Sequence, residues 1–202
     1  MGDKLKVKLL ELKTGSLMVG LVILVVALFI GLISPFYLSK DSYSTISQLV
    51  KNIFAALPQM DINSGLEAKG ALSLNTLFLL IWYLAGLSLI GIPVSYLLLG
   101  IRGFILGFCL SILIMGDAAY GIVVSILAVL PQHLILIPIF LLATLFSVKL
   151  SGELIAGFSD IKTSLLNFSL KYAVLWLGIA LAAWLQGYIA PKLLKLFFNL
   201  LS

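Results

Sequence analysis

The sequence predicts an all-α polytopic membrane protein with about five transmembrane helices, and three observations carry that prediction. Hydrophobic residues make up 62% of the 202 and charged residues only 10%, with a mean hydropathy of +1.21, far above the apolar share of a water-soluble domain. The charges are gathered between long uncharged runs, most of which can cross the roughly 30 Å hydrocarbon core at about 1.5 Å per residue. Proline, glycine and a few polar residues recur inside those runs, which a plain lipid anchor would not need.

The formal charge of +5, thirteen Lys and Arg against eight Asp and Glu, reads first as an orientation signal. No segment joins a basic run to a soluble fold, so nucleic acid is not an expected partner. Cys109 is the only cysteine and lies in an apolar run, which excludes an intrachain disulfide and a thiolate metal cluster. No cofactor is expected, and residues 1–202 read as a single membrane domain.

The first element begins with the basic stretch Met1 to Lys13, carrying Lys4, Lys6, Lys8 and Lys13, and continues as an uncharged span from Thr14 to Ser39. It lacks a small-x-small cleavage site, so it reads as an uncleaved span with a cytoplasmic N-terminus. Residues 37–71 form the one sizeable polar segment and read as an extracytoplasmic loop. Within it Ile46, Leu49, Val50, Ile53, Phe54 and Leu57 fall at helical spacing, closed by Pro58, and predict an amphipathic helix. That helix either lies on the membrane interface and the protein's own spans, or docks an extracytoplasmic partner.

A second span is expected from Gly70 to Ile101, kinked at Pro93, with Arg102 as its cytoplasmic anchor. The third, Gly103 to Gly116, offers only about 14 uncharged residues before Asp117, short for a span. Gly100, Gly103, Gly107 and Ser111 line one of its faces at three- and four-residue spacing. Small residues in that pattern let helix backbones approach closely, in this subunit or across a homodimer. A fourth span, Ala118 to Val148, is expected to be broken at LPQH, where Pro131, Gln132 and His133 make an irregular elbow, and kinked again at Pro138. A cytoplasmic loop from Lys149 to Lys171 leads to a fifth span, Ala173 to Ala190, and residues 191–202 read as an interfacial tail helix with Lys192, Lys195 and Asn199 on one face.

This topology places Lys4, Lys6, Lys8, Lys13, Arg102, Lys149, Lys162 and Lys171 inside and Lys40, Lys51, Lys69, Lys192 and Lys195 outside, a bias toward N-in and C-out. Reading Ala118 to Leu130 as an additional span is the topological rival. No pair of carboxylates, and no second histidine, supplies the convergent groups that an enzyme would need, so catalysis is not expected. His133 has two readings: a proton-relay or substrate-site residue, or an imidazole that bonds carbonyls at the elbow. The broken span also suits a transporter or channel subunit with a midplane site near His133.

The segments IGIPVSYLLLGIRGFILGF, SILAVLPQHLILIPIFLLA and LKYAVLW with YIAPKLL carry a resemblance to the stage II sporulation protein M family. It runs through most of the chain and is most specific at Gly91, Pro93, Arg102, Gly103, Gly107, Phe108, Leu130, Pro131, Gln132 and Pro138. Two departures are His133, where an amide side chain is expected, and a loop after Val148 that is less basic than expected. The resemblance implies a non-enzymatic scaffold of engulfment in endospore-forming bacteria. In that role it would recruit the peptidoglycan-degrading stage II sporulation proteins P and D to the septal, mother-cell membrane for peptidoglycan remodelling. It implies no catalytic residues.

Overall fold

The computed structural model describes residues 2–59, 62–157 and 161–201, with side chains for 15–57, 59, 62–157 and 162–198. The side chains of Lys4, Lys6, Lys8, Lys13, Pro58 and Asn199 lie outside the described residues. Among the described residues eight α-helices follow one another: α1 Gly2–Ile33, α2 Lys40–Ala56, α3 Ser64–Gly86, α4 Gly91–Gly116, α5 Ala118–Val124, α6 Leu130–Ile155, α7 Ile161–Trp184 and α8 Ala190–Leu201. Wide π turns over Ser125–Val129 and Leu185–Ile189 join α5 to α6 and α7 to α8 without interrupting the helical path. Five helical stretches are long and apolar enough to cross a membrane: Gly15–Tyr37, Ser64–Gly86, Gly91–Gly116, Ala118–Ile155 and Lys162–Phe198.

The number of spans agrees with expectation, but two of their boundaries differ. Spans two and three meet at Leu87–Ile90, where Ser88 N–H donates to Ala85 O at 2.9 Å and Gly91 N–H to Ser88 O at 3.1 Å. The turn is tight and uncharged, and the Ser88 side chain completes it by accepting from Ile90 N–H at 3.3 Å. Pro93 therefore sits in the first turn of α4, where a missing N–H removes no intrahelical bond, and it is not a mid-span kink. Arg102 is not a boundary anchor either. It lies about 17 Å from one end of α4 and about 21 Å from the other, near the middle of a span.

The expected elbow at LPQH is corrected in form. Leu130 N–H reaches back to Ser125 O across the π turn, and Leu130 to His133 are already α-helical. Pro131 falls within the first two positions after that turn, where its lack of a donor is tolerated, and Pro138 lies inside α6 without ending it.

Two of the five apolar stretches are much longer than the rest. Ala118–Ile155 has 38 residues and Lys162–Phe198 has 37, about 57 and 56 Å of helix, so each must extend beyond a core of roughly 30 Å. Their overhang, α5 and α8, meets α2 at one end of the bundle. There Val50, Phe54, Val124 and Leu194 are buried together, with Ile46, Leu57, Ile112, Leu113, Leu127 and Ala128 packed around them. A separate, larger core joins α1, α3, α4, α6 and α7 around Trp82, Leu99, Ala143 and Ile179, all wholly buried.

Candidate functional site

Lipid offers no partners for polar groups, so the polar side chains inside the spans are the natural place to look for function. Most of them are consumed by structure. Trp82 Nε1–H donates to Ser95 O at 3.1 Å, Ser147 Oγ–H to Trp82 O at 2.7 Å, Tyr172 O–H to Ala143 O at 2.9 Å, and Ser151 Oγ–H to Ser88 O at 2.8 Å. These bonds cross between α3, α4, α6 and α7, where apolar contact alone gives no preference for protein over lipid.

Arg102 stands apart. Its Nη2 donates to Asn75 Oδ1, Asn75 in turn donates to Ala71 O at 2.9 Å, and the guanidinium lies 3.9 Å from the ring centre of Phe78 and 4.4 Å from that of Phe140. Two ring faces and an amide oxygen offset part of the charge. The described acidic side chains, Asp41, Glu67, Asp117 and Glu153, all lie at or beyond span ends, and among the described residues Glu153 pairs with Lys149 at 3.6 Å. Three buried atoms have no hydrogen-bond partner among the described residues: Arg102 Nε and Gln132 Oε1 well inside their spans, and Ser95 Oγ in the second turn of α4. His133 is within electrostatic reach of Arg102, and its Nδ1 lies 2.7 Å from Val129 O. A carbonyl only accepts, so this contact makes Nδ1 the protonated nitrogen. No group of His, Cys, Asp and Glu among the described residues could hold a metal ion.

The small-residue face of α4 is occupied within the subunit. A Cβ on Gly107 would run into Leu28 O and lie 2.9 Å from Leu32 N, and one on Gly103 would lie 2.7 Å from Leu24 O. The backbone of α1 thus takes the place that a second copy would need, which corrects the expectation of a homodimer through this face. Ser111 is buried, while Gly100 borders a shallow apolar groove with Ile23, Tyr96 and Phe104.

The six apolar residues of α2 divide. Val50 and Phe54 are buried, and Ile46 and Leu57 are half-buried against the same cluster, so these four hold the helix to the bundle and are not a free docking face. Leu49 and Ile53 remain exposed. The helix is fixed at its start by Ser39 Oγ, which accepts from Ser42 N–H at 3.2 Å, and along its length by Ser47 Oγ–H, which donates to Met115 O at 3.1 Å. Beside it, Lys51, Phe54, Ala55, Asp117, Tyr120 and Phe198 line a cleft of about 360 Å³. Sequence reading missed this cleft because its walls come from three helices far apart in the chain. Sequence reading missed the pairing of Arg102 with Asn75 because a cation is expected at a span end and an uncharged amide gives no signal of its partner.

The family model described as stage II sporulation protein M matches residues 18–191 of this chain. No curated protein and no solved structure matches it. The chain belongs to the stage II sporulation protein M family: it is a multi-pass membrane protein of sporulation, from a family not known as one of enzymes.

Proposed function

We propose that this protein is a non-enzymatic scaffold of the engulfment machinery, recruiting the stage II sporulation proteins D and P to the septal membrane. The observation that carries the reading is the platform at one end of the bundle. There α2 is capped, hydrogen-bonded to Met115 and packed on the overhangs of two long spans, with Leu49 and Ile53 facing out. A helix fixed in this way presents side chains at constant positions, which is what recruitment of another protein requires. The charge bias supports placing that end outside the cytoplasm, with the N-terminus inside. Charge insertion at Leu49 and Ile53 together is the test. Loss of co-purification of proteins D and P with a protein that still inserts and folds is the expected result, and undiminished co-purification removes this surface.

A second reading, a transport or channel subunit, is favoured by the mid-span cation Arg102, which no described carboxylate pairs, with His133 in electrostatic reach of it, and by the unpartnered Gln132 Oε1 inside another span. Reconstituted protein that passes no ion or small solute, together with normal sporulation of a His133→Ala strain, would eliminate it.

A further inference from the structure

The cleft between α2, α5 and α8 has a chemistry of its own. Its floor is aromatic: Phe54 and Tyr120 have ring centres 6.4 Å apart, and Tyr120 stacks on Phe198 at 5.9 Å with ring planes 11° apart. Phe54 and Phe198 are buried while Tyr120 stays partly open, so a ring face is available at the bottom. Two charges stand at the rim. Asp117 is already engaged, since its Oδ1 accepts from Tyr120 N–H at 3.0 Å and its charge sits at the start of α5. Lys51 has no carboxylate partner among the described residues. The cleft therefore combines a stacking surface with a free cation, at a volume of about 360 Å³ that exceeds a single aromatic side chain.

We infer that this cleft is a docking pocket for one aromatic side chain of an extracytoplasmic protein segment, flanked in that segment by a carboxylate that pairs with Lys51. This rests on the recruitment reading above and goes further by naming the chemistry of the contact. It is a second contact, on the other side of the helix from Leu49 and Ile53, each of which lies about 160° around from Lys51 at 100° per residue.

The test uses the full chain in nanodiscs of zwitterionic lipid and saturation-transfer NMR of the capped peptide Glu-Phe-Glu. Transfer to the phenyl ring is expected, at least fivefold stronger than for Lys-Phe-Lys. Lys51→Glu should reduce it at least fivefold, and Ala55→Trp, which fills the cleft from an exposed position, should abolish it. Lys69→Glu, the same charge change at the start of α3, should leave it intact. Equal signal from Lys-Phe-Lys, or signal that survives both cleft variants, overturns the proposal. So does loss of the signal in nanodiscs rich in phosphatidylglycerol, which would assign the cleft to a lipid headgroup. Adding the purified soluble portions of proteins D and P separates the two levels. If the peptide binds as expected and neither portion binds, the recruitment reading fails and the pocket stands. If either portion binds and the cleft variants do not weaken it, the pocket fails and recruitment stands.

Discussion

The core around Trp82 and the cluster around Phe54 are both tightly buried, yet different forces hold them. Around Trp82 the spans associate in a medium as apolar as their own side chains, so association depends on close backbone approach and on hydrogen bonds. That is where the structure concentrates Ser147, Tyr172, Ser151 and the Gly103 and Gly107 seam. Around Phe54, at the end of the bundle, buried apolar contact between α2, α5 and α8 predominates, and such burial is worth about 25 cal/mol per Å² where it removes surface from water. The same residue types thus have different worth in the two places: polar side chains decide the first, apolar area the second.

Substitutions can break that contrast, and the largest effect is expected at Asn75. Asn75→Leu leaves the Arg102 guanidinium without its oxygen and should destabilise the fold by about 3–5 kcal/mol. Arg102→Leu should cost less than Asn75→Leu, because it removes the charge along with its contacts, and the double variant should recover part of the loss. Thermal unfolding in detergent, followed by fluorescence of the three tryptophans, measures all three. If Arg102→Leu were the worst of them, the guanidinium would hold the spans together and would not be a burden they carry.

Next comes Phe54→Ala, expected to cost about 3 kcal/mol through lost apolar burial. It should free α2 and leave the spans assembled, which faster proteolysis within residues 40–56 at an unchanged midpoint of thermal unfolding would show. A smaller effect is expected of Ser147→Ala, about 0.6 to 2 kcal/mol, as for interhelical hydrogen bonds in membranes generally. Loss of crosslinking between α3 and α6 above a lower temperature would register it. Smallest of all is Leu49→Ala, within about 0.5 kcal/mol because the side chain is already exposed, so any effect on partner binding would be free of a folding contribution.

Hydropathy made the number of spans legible, and 3.6-residue periodicity from Ile46 to Leu57 made α2 legible as a helix. Charge was a poor guide to boundaries. Arg102 was taken to end a span because cations usually do, whereas here Asn75 and two phenyl rings hold it inside one. The real turn, Leu87 to Ile90, carries no charge, proline or run of polar residues, only Ser88 bonding Ile90 N–H, so composition marks it weakly. Small residues on α4 correctly announced a close approach, but spacing on one helix cannot name the helix that comes close. The cleft was out of reach for a related reason, since Lys51, Tyr120 and Phe198 meet only through the overhang of two spans.

That overhang contains both π turns, at Ser125–Val129 and Leu185–Ile189. Each absorbs one residue more than an α-helix would use over the same length, so the segments on either side keep the faces they would have in an uninterrupted helix. Chain length in these two places is therefore slack. Deleting Ala128 should let the turn relax to ordinary α-helix with Gly121 still seated against Leu113, whereas deleting Leu136 would rotate everything before it by about 100° and unseat the Val124 side of the platform. Two deletions only eight positions apart should thus separate deletion-tolerant from deletion-intolerant helix, with single-residue shortening tolerated at the end of the bundle that meets α2.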